Sequence, residues 1–187
     1  MDEPIPMDDA LFAFADKLER AGIEYMLTGS LALCFHAEPR DTNDVDIVIK
    51  ARVSDVPTIL AMFPEEEGWY WNEDTATRAI ENEKMFNVVQ SLSGFKFDLI
   101  ALKSSEIEQE KFARRVRYSK DGRTIWVIRP EDLLLSKLEW GKRNNSALQA
   151  TDVRTLLRDV PDLDWQYLNP RIDRLGLRKW FEDARTA

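Results

Sequence analysis

Between Asp8 and Ala21 the apolar residues Leu11, Phe14, Ala15 and Leu18 recur at three- and four-residue spacing, which predicts a helix with one buried face. Asp8 or Asp9 can cap its start, and Gly22 can end it. Glu24 to Thr28 then reads as a short strand broken by Gly29, and Ser30 opens a short apolar helix through Leu31, Leu33 and Phe35. After a polar loop, the run from Asp44 to Ile49 alternates as a strand. Ser54 is placed to cap a helix reaching Phe63, with Pro57 inside its first turn. Pro64 to Asn82, rich in Glu, Trp and Asn, shows no period and is expected to be an irregular loop with one helical turn at most. Lys84 to Gln90 and Phe95 to Ala101 form a hairpin around Ser-Leu-Ser-Gly. A helix over Ser104 to Arg114 and a second hairpin around Asp121-Gly122 follow. From Pro130 the pattern turns helical, with breaks at Pro161 and Gly176. The expected fold is α/β (α+β): a small, mixed, twisted sheet with flanking helices over residues 1–128, and a helical C-terminal part over 129–187 packed on that core.

Two strands carry charge where apolar residues are expected. In Asp44-Val-Asp-Ile-Val-Ile, Val45, Ile47 and Ile49 share one face, and Asp44 and Asp46 the other, about 6.6 Å apart at their Cα atoms. Such a pair suits a hard divalent cation bound by oxygen and shared with phosphates. Without a cation the two charges repel and one pKa rises. The alternative is a solvent-facing edge strand, but Asp is a poor strand former, so two in an apolar strand need a reason. Asp98 repeats the pattern, sharing its face with Lys96 and Ile100 opposite Phe97 and Leu99. If the strands are neighbours, the three Asp converge. Gly29-Ser30 lies where a strand turns into a helix, so its N–H groups and hydroxyl can cradle a triphosphate, or simply make a turn and an N-cap.

Composition narrows the choice. The chain of 187 residues has a net charge of −8, which argues against indiscriminate nucleic-acid coating. Its densest basic stretch, Lys111, Arg114, Arg115, Arg117, Lys120 and Arg123, is either a local basic strip or, the preferred reading, a solvated helix end and hairpin. One cysteine, Cys34, and one histidine, His36, make neither a disulfide nor a Cys/His zinc site, and neither is assigned a role. No apolar stretch is long enough for a bilayer, and the acidic opening lacks the features of a secretory signal, so a cytoplasmic protein with no membrane partner is expected. Trp69, Trp71, Trp140, Trp165 and Trp180 read as core or inter-helix packing. Arg40 and Thr42, just before the first Asp, either touch a substrate, orient the carboxylates or are loop polarity.

Tyr25-Met-Leu-Thr-Gly29-Ser30, then thirteen residues, then Asp44-Val-Asp46-Ile, with Phe97-Asp98-Leu-Ile on a later strand, resembles the nucleotidyltransferase superfamily of DNA polymerase β-like fold. The likeness covers roughly residues 20–101. It implies that Asp44, Asp46 and Asp98 are catalytic and bind Mg²⁺ or Mn²⁺, that Gly29 and Ser30 hold the nucleoside triphosphate, and that Asp98 activates an acceptor hydroxyl. The tail from Arg129 through Lys137 to Trp140 resembles bacterial abortive-infection nucleotidyltransferase toxins. That likeness makes Lys137 and Asp152 candidate nucleotide-binding residues and implies a cognate antitoxin or toxin partner. Read from its neighbours alone, Lys137 sits on an apolar stripe and either snorkels or lines a cleft. The activity implied is transfer of a nucleoside monophosphate from an NTP, ATP among them, to a hydroxyl of RNA (a transfer-RNA end included), protein or a small molecule. A non-catalytic, antitoxin-like partner-binding module is the alternative; a plain structural domain leaves three Asp on apolar strands unexplained.

Overall fold

The computed structural model describes residues 6–120 and 122–186, with Lys120 by its backbone alone. Asp121 of the expected second turn and the Lys120 side chain therefore lie outside the described residues. Among these, helices and strands follow in the order α1 (Met7–Arg20), β1 (Glu24–Thr28), α2 (Gly29–Leu33), β2 (Asp44–Lys50), α3 (Val56–Leu60), β3 (Trp69–Tyr70), α4 (Glu73–Glu81), β4 (Met85–Gln90), β5 (Lys96–Ala101), α5 (Glu106–Ala113), β6 (Val116–Lys120), β7 (Arg123–Val127), α6 (Pro130–Asn144), α7 (Ala147–Asp159), α8 (Trp165–Arg174) and α9 (Arg178–Thr186). The strands form one mixed sheet in the order β3-β4-β5-β2-β1-β7-β6. Its centre is β2, antiparallel to β1 and parallel to β5.

The period-two pattern of the central strands divides the sheet into two faces. Val45, Ile47, Ile49, Phe97 and Leu99 are fully buried on one of them. There Phe14 of α1 packs against Phe97 and Phe63, and Trp69 closes the cluster edge-on to Phe63. The other face carries Asp44, Asp46, Lys96 and Asp98 at one end of the strands. At the other end Met26, Val48 and Ile100 line a cavity beneath α6. No helix of the described residues is long and apolar enough to cross a membrane.

Several local expectations need correction. The segment from Pro64 to Asn82 is not a loop: it holds β3 and the nine-residue helix α4, capped by the Asn72 side chain, which accepts from the Thr75 N–H at 2.8 Å. Its buried stripe is only Ala76, Ala79 and Ile80, too narrow and weakly apolar to stand out as a period. Ser54 does not cap a helix but lies in a 3₁₀ turn, Val53–Asp55, that leads into the five-residue α3. The N-cap of α1 is Pro6, with Asp8 and Asp9 in the first turn beside the positive helix end.

Of the tryptophans expected in the core or between helices, Trp140 is 57% exposed, whereas Trp165, 38% exposed, packs from α8 against Phe181 of α9 with ring centroids 5.9 Å apart. Trp180 also packs between helices, over Gly141 of α6, where any side chain would overlap the indole. The basic stretch is largely tied down rather than solvated. Lys111 is buried against Glu108 (3.0 Å) and Glu139 (3.2 Å), while Arg114 reaches Asp132 (3.1 Å) and Arg115 reaches Glu24 (2.8 Å). Burial pulls the Lys111 ammonium down, and the two glutamates outweigh it, leaving the group above its ordinary value.

Candidate active site

Strand pairing decides whether the three Asp meet. In the β2–β5 register Asp46 lies directly opposite Asp98, and Asp44 opposite Lys96. Asp44 and Asp46 share a face because they are two residues apart on one strand. Asp98, on a neighbouring strand at the level of Asp46, joins them. Its side chain is buried, and its two oxygens are engaged: Asn87 of β4 donates to Oδ1, and Lys96 Nζ lies 2.8 Å from Oδ2. Lys96 also reaches Asp44 Oδ1 at 3.6 Å. Among the described residues no three acidic, cysteine or histidine side chains stand ready as a metal cage.

Asp46 is the strained member of the set. Burial first, then the neighbouring Asp98, push its carboxyl above the ordinary carboxylate range. Among the described residues it receives no hydrogen bond, and the nearby charges of Lys137 and Lys96 only partly oppose the shift. On β1, Thr28 pairs with Asp46, and Gly29 follows with φ +66°. A Cβ at Gly29 would overlap the Asp46 carboxylate, so the turn needs glycine both for its left-handed backbone and for this close approach.

The second cluster lies on the α2 side. Ser30 Oγ receives a hydrogen bond from Arg40 Nη2 and lies 3.3 Å from Lys137 Nζ. Both cations converge on Asp152 of α7: Arg40 Nε at 2.8 Å from Oδ1 and Lys137 Nζ at 2.7 Å from Oδ2. Lys137 and Asp152 are 4% and 1% exposed, so Lys137 does not snorkel; it is a buried ion-paired group whose pKa burial lowers, with Asp152 opposing the shift. Two cations against one carboxylate leave the cluster one positive charge beside the acidic set. Gly29, Ser30, Lys137 and Asp152 are thus brought together, and Arg40, which the sequence left open, joins them. Its only local signal was its place four residues before Asp44. Thr42 turns to its own loop, exchanging contacts of 3.4 Å with the Asp44 backbone.

His36 joins neither group, while the Cys34 thiol touches the edge of the second, donating to the Ser30 carbonyl at 3.8 Å. Tyr118 donates to His36 Nδ1 at 3.0 Å, and His36 Nε2 donates to the Ile128 carbonyl at 2.7 Å, tying the end of α2 to β6 and the end of β7. Between the central strands and α6 lies a cavity of about 560 Å³, with Thr28, Val48 and Ile100 on its floor and Ser136, Glu139 and Trp140 on its wall.

The buried pair makes a separable prediction. Lys137→Ala leaves Asp152 with Arg40 alone, and breaking a buried pair costs about 3 kcal/mol at the low end of the usual range. At 2–4 °C per kcal/mol for a chain of this size, thermal melts should fall by roughly 6–12 °C. Lys137→Met combined with Asp152→Asn should recover part of that loss, since both buried charges go, the volume stays, and the one charge left, Arg40, is partly open to solvent. An undiminished loss in the double variant would show that the pair is not the source of the stability.

No protein-family model matches the chain, and no curated protein matches it in sequence. Solved structures do. An antigenic nucleotidyltransferase-like protein from Paracoccidioides brasiliensis superposes with TM-score 0.58 at 20% identity, over 99% of this chain and 95% of that one. The lincosamide antibiotic adenylyltransferase LnuA, in its lincomycin-bound structure, gives 0.57 at 14% identity, over 82% of this chain and 98% of that one. ANT(2")-Ia in complex with adenylyl-2"-tobramycin gives 0.57 at 10% identity, over 91% and 96%. The architecture is therefore that of the nucleotidyltransferase fold.

Proposed function

We propose that the chain is a metal-dependent nucleotidyltransferase, moving a nucleoside monophosphate from an NTP to an acceptor hydroxyl. The observation that carries this reading is the β2–β5 register, which sets Asp98 beside Asp46 on the face that Asp44 shares, facing the Ser30–Arg40–Lys137 cluster. The donor set is all oxygen, which fits Mg²⁺ or Mn²⁺, and Asp46, which receives no hydrogen bond among the described residues, supplies a charge that a cation would stabilise. Asp44, Asp46 and Asp98 would hold the metal. When bound, it would neutralise charge on the attacking and leaving oxygens.

The remaining work belongs to the side chains. Ser30 and the Gly29–Ser30 backbone would receive the outer phosphates, with Lys137 and Arg40 matching their charge. Asp98 would take the proton as the acceptor oxygen attacks the α-phosphorus. The bond to the β-phosphate then breaks, and pyrophosphate leaves. The adjoining cavity is of the size that takes a small ligand or one end of a larger one, and its floor continues the carboxylate face. The solved relatives named above include proteins acting on or bound with antibiotics, so lincomycin and tobramycin belong among the acceptors tested, with RNA and protein.

Incubation of the protein with each labelled NTP, Mg²⁺ and either cell extract or a defined acceptor tests the reading. The expected result is acceptor labelling with matching pyrophosphate release, abolished by chelator. A folded protein that neither labels any acceptor nor binds a triphosphate with metal would reject transfer in favour of a partner-binding module.

A further inference from the structure

Lys96 is the residue the proposed chemistry does not use, although it stands in the middle of the carboxylates. Its ammonium lies 2.8 Å from Asp98 Oδ2 and 3.6 Å from Asp44 Oδ1, bridging β5 to β2 across the pair of strands. The geometry is set by the backbone: Lys96 and Asp98 are two residues apart on one face, and Asp44 is the register partner of Lys96. Asn87 takes the other Asp98 oxygen from β4, its own register partner. Asp98 thus has one oxygen on a neutral donor and the other on a cation, and both would compete with a metal.

We propose that Lys96 is a tethered counter-ion that keeps the carboxylate site closed to free divalent metal, holding Asp98 and Asp44 until a metal arrives together with the triphosphate. The inference rests on the metal-dependent reading given above. A divalent ion entering alone must expel the ammonium from two carboxylates and then remain beside it, which is a like-charge cost. A metal that brings a triphosphate brings negative charge to which the released ammonium can turn. The lysine side chain is 36% exposed, so it can swing to solvent or phosphate without disturbing the core. It is a positioning residue, acting through Asp98 and Asp44, and its signature is in metal affinity.

Titration with Mn²⁺ alone, read by the electron paramagnetic resonance of the free ion, compares the parent with Lys96→Met, which keeps the stem and removes the charge. The variant should bind Mn²⁺ about tenfold more tightly, the scale of one released charge-assisted interaction. Lys103→Met, a charge removed beyond the opposite end of β5 and away from the carboxylates, should change affinity less than twofold. Repeating the titration with a non-hydrolysable ATP analogue should narrow the gap between parent and Lys96→Met. Melts in chelator give a second readout: Lys96→Met should melt lower than the parent, and adding Asp98→Asn should cancel that loss. Equal Mn²⁺ affinity in parent and Lys96→Met, or an equal gain in Lys103→Met, would overturn the tether while leaving the metal site standing. No Mn²⁺ binding by either protein, even with the analogue, would instead remove the metal site on which the tether depends.

Discussion

In chelator at neutral pH, Asp46→Asn should melt higher than the parent, although it should transfer almost no nucleotide. The two effects have one cause. The Asp46 carboxylate is half-buried beside Asp98 and receives no hydrogen bond among the described residues, and burial and the neighbouring charge both penalise its ionised form. The sign follows from proton linkage: the folded state holds this proton to a higher pH than the unfolded chain does. Stability from this group is therefore full below the ordinary aspartate value of 3.8 and is lost as pH rises through the raised folded value. Asparagine removes the penalty, so its advantage should be present at neutral pH and vanish below about pH 3.8. Asp44→Asn behaves differently in the melt. Asp44 is half-exposed and faces Lys96, so its removal should shift stability by no more than about 1 kcal/mol in either direction. Both variants should lose transfer by about a thousandfold or more, since neutral amides are much poorer ligands for Mg²⁺. Added Mg²⁺ and NTP should raise the parent's melting temperature and leave both variants unmoved. A parent-like transfer rate in Asp46→Asn would sink the proposed site, and a lower melt in chelator would show that the carboxylate has a structural partner.

Gly29→Ala carries the second large effect. The residue has φ +66°, a backbone that costs an L side chain about 1–2 kcal/mol, and its Cβ would occupy the space of the Asp46 carboxylate. Gly22→Ala is the control, with φ +69° and nothing within 4 Å of the added carbon. Both variants should show the backbone cost, about 2–8 °C in melting temperature. Only Gly29→Ala should go further, because Asp46 must rotate away from Asp98 and Asp44 to admit the methyl group. It should therefore lose transfer and metal-dependent stabilisation along with Asp46→Asn. Equal melts for the two alanine variants, with transfer intact in both, would mean that Gly29 serves the turn alone.

Much of the fold was legible wherever the period was strong. Leu11, Phe14, Ala15 and Leu18 announce α1, and the alternation of β2 and β5 announces their faces. The segment holding α4 has no visible period because its buried stripe is two alanines and one isoleucine in a nonapeptide otherwise made of charged residues and threonine. Capping by Asn72 was its best local signal. Lys111 was misjudged for a different reason. A lysine among arginines reads as surface, and the carboxylate that buries it with Glu108 is Glu139, contributed from α6.

The sequence alone determined that Asp44 and Asp46 share a face, that Asp98 stands on a face of its own strand, and that Gly29-Ser30 ends a strand and opens a helix. Those facts follow from side-chain period and from glycine's backbone freedom, which act over a few residues. Only the tertiary structure decided that β5 lies beside β2 in the register that opposes Asp46 to Asp98. It also decided that Lys96 falls between two carboxylates, and that Arg40 and Lys137 meet at Ser30 and Asp152 from three separate stretches of chain. Strand order and helix docking are set by the burial of whole faces against one another, an energy summed over the core that no local run of residues carries.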